Sequence, residues 1–230
     1  MKKAIVTAAG PNMYGVLEYA QPTFKWFADK HGYKLIVDRS AKDGGEHGSN
    51  LSKQARWHKL AVIERVLKKH DLIVWLDADI MIRKFDRDII EDLPADCFQA
   101  FVMELFPRRF NPNTGVWVLR NDPESFDFIK RVKELGQQDV YWADQGAVCK
   151  ALGWELEGYF VTTARPVHYS KYLARTGWLP PEWNPLGMAS RWPSRVWHFP
   201  SRSNDERVRL MKAAFTKIKP PKVTVPTKKR

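Results

Sequence analysis

The residues with the most chemistry in them are Asp77-Ala78-Asp79, which close the apolar run Leu72-Ile73-Val74-Trp75-Leu76. Side chains on a strand alternate with period two, so Asp77 and Asp79 are expected on one face with Ala78 turned away. Two carboxylates that close repel and raise each other's pKa unless a cation lies between them. A hard divalent ion with oxygen ligands suits the gap. The plainer alternative is a polar strand end whose acids cap the next turn. Position lifts the ion reading level with that alternative, because ligands of open α/β sheets bind beyond the carboxyl ends of the strands.

Three more segments follow in order. Asn113-Thr114-Gly115 precedes the strand-like Val116-Trp117-Val118-Leu119. Trp142-Ala143-Asp144-Gln145-Gly146 opens a helix. Val196-Trp197-His198-Phe199 reads as a short strand carrying a His, followed by Pro200-Ser201-Arg202. Each has an ordinary reading alone: a turn, a helix cap, a satisfied core imidazole. Their order after the Asp pair is more specific than any one of them.

The elements that must position these residues alternate. Ala4–Ala8 reads as a buried strand ending in the loop Ala9-Gly10-Pro11-Asn12. Tyr14–His31 reads as a helix with Phe24, Phe27 and Ala28 on one face and Gly32 as its stop. Tyr33–Val37 is a second strand, and Ser40–Ser52 a Gly-rich loop. Lys53–His70 is a helix with Leu60, Ile63 and Leu67 on one face, widened by Val62 and Val66. Leu72–Leu76 is the third strand. This β-α-β-α-β order predicts parallel strands covered by helices. Phe98–Met103 adds a strand. Later helices start at Asp122-Pro123-Glu124, burying Phe126, Ile129, Val132 and Leu135, and at Asp144, stopping at Gly153. The last starts at the capping box Ser203–Glu206 and packs Val208, Met211, Phe215 and Ile218.

Composition bounds the rest. A chain of 230 residues with 44% hydrophobic content buries a core and is not globally disordered. Two Cys exclude a disulfide scaffold. Leu72–Leu76 is far too short to span a membrane, and Met1–Val6 has no signal-peptide layout. These features predict a cytoplasmic protein with reduced thiols. The net charge of +12 asks for an anionic partner. About half of it lies in 216–230, where Lys217, Lys219, Lys222, Lys228, Lys229 and Arg230 sit among three Pro and no acid. We expect one domain over 1–215 and a flexible basic tail over 216–230.

From Lys53 to about Arg202 the sequence resembles the GT-A fold nucleotide-sugar glycosyltransferases. The pattern is most similar to the family of α-1,2-galactosyltransferases and xyloglucan α-1,6-xylosyltransferases, with kinship to the lipopolysaccharide galactosyltransferase and glycogenin family. The residues that carry it are Trp57-His58-Lys59, Val74–Asp79, Asn113–Val116, Ala143-Asp144-Gln145 and His198-Phe199-Pro200. The resemblance implies a Rossmann-like mixed sheet with helices on both faces. It also implies metal-dependent transfer of a hexose or pentose from a nucleoside-diphosphate sugar, a UDP-sugar in such relatives, with retention at the anomeric carbon.

By the same resemblance, Asp79 binds Mn²⁺ or Mg²⁺, Asp77 holds the metal, the ribose or both, and His198 is the third protein ligand. A mixed carboxylate–imidazole set suits Mn²⁺ better than Mg²⁺. Lys59 lies near the donor diphosphate or sugar, and Arg202 takes the place of the diphosphate-binding cation. The chain departs from the family pattern there, with Arg for Lys and no Gly between His and cation. Asn113, Asp144 and Gln145 hydrogen-bond the donor sugar, the last two beside an oxocarbenium-like centre. Thr7 and Ala8 touch the nucleotide. The acceptor is unnamed; Tyr169–Trp192, rich in Trp, Pro and Arg, is either its platform or a loop packing on the core.

Other classes compete. Net charge, the 10 Trp and the carboxylates also suit a nucleic-acid-binding protein or a metal-dependent nuclease, and the tail leaves that partner open. A two-metal nuclease needs more acids near the pair; Asp86, Asp88, Glu91 and Asp92 follow, but read as a solvated face. A non-catalytic sugar-binding relative is the third reading, and the whole constellation argues against it.

Overall fold

The computed structural model describes residues 1–41, 50–106, 109–136, 143–157, 160–161, 165–186 and 193–221. Its elements alternate as their residue patterns dictate. Strand β1 is Lys3–Ala8, helix α1 Tyr14–His31, β2 Tyr33–Asp38, α2 Asn50–Leu67 and β3 Leu72–Leu76. Gly32 ends α1 in the left-handed conformation, at φ 71°, which costs a residue without Cβ little. Then come β4 Ile80–Ile82, β5 Gln99–Phe106, β6 Arg109–Arg120, α3 Pro123–Gly136 and α4 Asp144–Ala151. Short strands β7 Leu156–Glu157 and β8 Phe160–Val161 precede β9 Thr176–Leu179, β10 Val196–His198 and α5 Asn204–Phe215.

Six strands form one mixed sheet in the order β2-β1-β3-β6-β5-β9. β1 runs parallel to β2 and β3, β6 runs antiparallel to β3 and β5, and β9 is parallel to β5. The carboxyl ends of β1, β2 and β3 therefore share one edge. The period-two alternation divides the core. Ile5, Leu72, Val74, Leu76, Val116 and Val118 pack with α1 and α5. Val6, Ile73, Trp75, Phe101, Trp117 and Leu119 pack with α2, α3 and α4 on the other face. The expected mixed sheet with helices on both faces is present. Ile218, past the end of α5, is buried in the first core.

Four local expectations change. The Asp pair does not continue a strand: β3 ends at Leu76, and Asp77–Ile80 is a turn closed by Ile80 N donating to Asp77 O at 3.0 Å. Asn113–Gly115 is not a turn before a strand but lies within β6. Phe101 pairs with Trp117 while the next residue, Val102, pairs with Asn113, so Thr114, Gly115 and Val116 bulge from that ladder. A bulge re-aims side chains at a sheet rim. β4 was not expected, since three apolar residues carry no period; it exists by antiparallel pairing with β10, Ile80 opposite His198. α3 buries Phe128 fully, and Phe126 only in part. The expected loop over Ser40–Ser52 falls mostly outside the described residues, as do Trp142, Arg191, Trp192 and 222–230.

Candidate active site at the carboxyl edge of the sheet

The turn after β3 swings the two carboxylates toward different helices. Asp77 stays on the α2 face, where its Oδ1 accepts from Trp75 Nε1 at 2.7 Å and from Lys59 Nζ at 3.1 Å. Its Oδ2 accepts from no described residue, and the side chain is 33% exposed. Asp79 is buried on the α5 face. Its Oδ1 lies 3.3 Å from His198 Nε2, and its Oδ2 lies 3.1 Å from Arg207 Nε. β4–β10 pairing brings in the His, and Phe199 N donates to Asp79 O at 3.1 Å. Ligand atoms of Asp77, Asp79 and His198 all lie within 4.8 Å of one another. Two carboxylates and an imidazole at that spacing, with one carboxylate oxygen uncommitted, could hold a divalent cation.

Burial pushes the Asp79 carboxyl up, but His198 and Arg207 outweigh it and hold it below the usual aspartate value. Burial likewise pulls the Lys59 ammonium down. The charges of Asp144 and Asp77 more than offset that, so it stays protonated above its ordinary range. Lys59 sits at the hub of the α2 side, giving 2.6 Å to Thr114 O and 3.1 Å to Asp144 Oδ2 besides Asp77. Thr114 Oγ1 donates to Asp144 Oδ2 at 2.9 Å. Ala143, just before Asp144, has φ 49°, a conformation rarely adopted by residues with a Cβ.

The structure brings Asn113 and Gln145 into the same cluster. Asn113 Oδ1 accepts from Gly115 N at 2.8 Å, and its Nδ2 donates to Gln145 Oε1 at 3.0 Å. Thr7, at the end of β1, is fully buried, and its hydroxyl has no described partner. Ala8 is half-buried beside it. Arg202 pairs with Glu206 one turn along, and no described contact joins it to the cluster. The preceding Ser201 has φ 56°, a left-handed conformation that Gly adopts more readily.

Three site residues escaped sequence reasoning. Arg207 is one of two surface-like Arg residues on α5 and shows itself only through docking against Asp79 and Phe199 O. Asn184 is fully buried and bonds both Asn113 and His198. Glu104, on β5, accepts from Gln145 Nε2 at 3.3 Å. Nothing in the spacing of these three marks them.

The acids after the pair are a solvated face only in part: Asp86 and Glu91 are exposed, whereas Asp88 and Asp92 are not. Asp88 is buried, caps the short turn Ile89–Asp92 and accepts from Lys3 Nζ and the Tyr33 hydroxyl. Asp92 binds Arg87 and Trp183 Nε1, and Asp86 binds Arg195. Each is committed to structure, so they offer no second metal site. In the aromatic segment, Trp183 is core and Arg175 is tied to Asp122 and Glu124, while Trp178 is 39% exposed. No described helix is long and apolar enough to cross a membrane.

No protein-family model matches the chain, and no curated protein matches it in sequence. Solved structures do resemble it. A glycosyltransferase involved in the glycosylation of the major capsid of PBCV-1 superposes with a TM-score of 0.68 at 15% identity, over 93% of this chain and 100% of that one. The bifunctional glycosyltransferase WbbM gives 0.58 at 13% identity, over 94% of this chain and 52% of that one. Mouse xyloside xylosyltransferase 1 gives 0.53 at 10% identity, over 88% and 99%. Across nearly its whole length, then, the chain has the GT-A-like fold of glycosyltransferases.

Proposed function

We propose that the protein is a metal-dependent glycosyltransferase that moves a hexose or pentose from a nucleoside-diphosphate sugar, a UDP-sugar by resemblance, to an acceptor with retention. The observation that carries this reading is the convergence of Asp77, Asp79 and His198 at the carboxyl edge of a sheet of this fold. Asp77, Asp79 and His198 would hold a divalent cation, which would supply positive charge against the leaving diphosphate.

The protein's own groups complete the division of labour. Arg207, at Asp79, is better placed than Arg202 to face a phosphate. Lys59 acts through Asp77 and Asp144, fixing both carboxylates rather than reaching the donor itself. Asp144, Gln145 and Asn113 are offered to the donor sugar, with carboxylate and amide oxygens beside the developing positive charge at the anomeric carbon. Thr7, with an unmatched hydroxyl, and Ala8 lie at the end of β1 on the same edge, for the nucleotide. The departing phosphate accepts the acceptor's proton, so no strong general base is required.

A screen of nucleotide sugars for hydrolysis with Mn²⁺ tests this reading and names base and sugar together. One donor should be hydrolysed, and turnover should disappear with chelator and in Asp79→Ala. Undiminished turnover in Asp79→Ala would remove the metal assignment.

A further inference from the structure

The buried amides around His198 form a chain whose direction is decided at both ends by groups that allow no choice. A backbone N–H only donates, so Gly115 N at 2.8 Å identifies the atom of Asn113 that it meets as the carbonyl oxygen. The Asn113 amine then faces Gln145 Oε1 at 3.0 Å, and the Gln145 amine faces the Glu104 carboxylate at 3.3 Å. A carboxylate only accepts, so the far end agrees. On the near side, Asn113 Oδ1 takes its second hydrogen bond from Asn184 Nδ2 at 2.7 Å. That leaves Asn184 Oδ1 facing His198 Nδ1 at 2.9 Å. An oxygen there accepts, so Nδ1 must carry a hydrogen.

We propose that Asn184 is a positioning residue that locks His198 in the tautomer protonated at Nδ1, so that the Nε2 lone pair points at the Asp77–Asp79 pair. The unprotonated nitrogen of a neutral imidazole is the one that binds metal, and which nitrogen it is follows from the hydrogen bond the other makes. Left alone, the ring would prefer the opposite arrangement, because Asp79 Oδ1, 3.3 Å from Nε2, is a good acceptor for a hydrogen there. In the neutral ring, Asn184 holds the single hydrogen on Nδ1 instead; only the protonated ring donates to Asn184 and Asp79 together. Asn184 is fully buried, and both of its polar side-chain atoms are committed, so the amide cannot turn over without breaking two hydrogen bonds. The identity of the cation rests on the function proposed above; the tautomer does not.

Two measurements decide the matter. The first is the ¹⁵N–¹H long-range NMR spectrum of the metal-free wild type, at a pH where the ring is neutral. It should show His198 with hydrogen on Nδ1; hydrogen on Nε2 would overturn the proposal without any variant having to fold. The second is Asn184→Leu, in which the ring should shift toward Nε2–H, donated to Asp79. Mn²⁺ affinity, read by electron paramagnetic resonance on the protein alone, should fall ~10–100-fold, the range for losing an outer-shell partner. An unchanged tautomer and unchanged Mn²⁺ affinity in Asn184→Leu would also overturn it. A wild type with the Nδ1–H tautomer that binds no Mn²⁺ would refute the metal reading and leave the tautomer assignment standing.

Discussion

Single residues of the site are held by charge balance, and Lys59 shows it best. Its ammonium is buried between the carboxylates of Asp77 and Asp144 and donates to Thr114 O. Removing one partner of such a pair leaves a buried charge uncompensated. Lys59→Met should therefore lower stability by about 3 kcal/mol, read from denaturant melts. The pH dependence has a definite sign. The native pKa is raised, so the contribution is complete below the unfolded lysine value of ~10.4 and is lost only as pH climbs through the higher native value. The stability gap between wild type and Lys59→Met should be flat from neutral to mildly alkaline pH and narrow once pH passes the unfolded lysine value of ~10.4 and climbs toward the native one. The sequence showed Lys59 as a site residue because it follows Trp57-His58. It did not show what Lys59 touches, because Asp77 and Asp144 reach it from elements far apart in the chain.

At the scale of elements, the site depends on one irregular strand. The bulge at Thr114–Val116 lets β6 keep its pairing to β3 while bringing Gly115 against His198. A Cβ at Gly115 would stand 2.6 Å from His198 Cε1 and 2.9 Å from Asn113 Oδ1. Gly115→Ala should therefore push the imidazole off its position and cost about 1–3 kcal/mol from overpacking. It should weaken Mn²⁺ binding more than a stability loss of that size explains, which a metal titration on the folded fraction would show. Regular elements were legible in advance. α1 spans Tyr14–His31 with Gly32 as its cap, and β3 spans Leu72–Leu76, because their signals are local. The bulge and β4 were not. An Asn-x-Gly triplet reads as a turn, and Ile80–Ile82 reads as nothing until β10 pairs with it. Side-chain packing decides such segments, and it is set by distant strands.

The whole molecule carries a charge of +12, which composition alone leaves open to a nucleic acid. The structure narrows that question through its acids. Asp86, Asp88 and Asp92 are tied to Arg195, Lys3, Tyr33, Arg87 and Trp183, so none of these three is free to serve a second metal beside Asp77 and Asp79. Any DNA retardation should accordingly be unspecific and vanish as salt rises, since that binding is counterion release. The central claim is that the Asp77–Asp79–His198 cluster takes a divalent cation and a nucleoside diphosphate together. It is tested most directly by thermal unfolding with UDP or GDP, with and without Mn²⁺. At about 100-fold over Kd, one diphosphate with Mn²⁺ should raise Tm by about 5–10 °C, from ~2.7 kcal/mol of linked stabilisation in a chain of this size. It should do nothing comparable with metal or nucleotide omitted, nor in Asp79→Ala. Failure of every nucleoside diphosphate to stabilise the protein in the presence of Mn²⁺ would contradict the account.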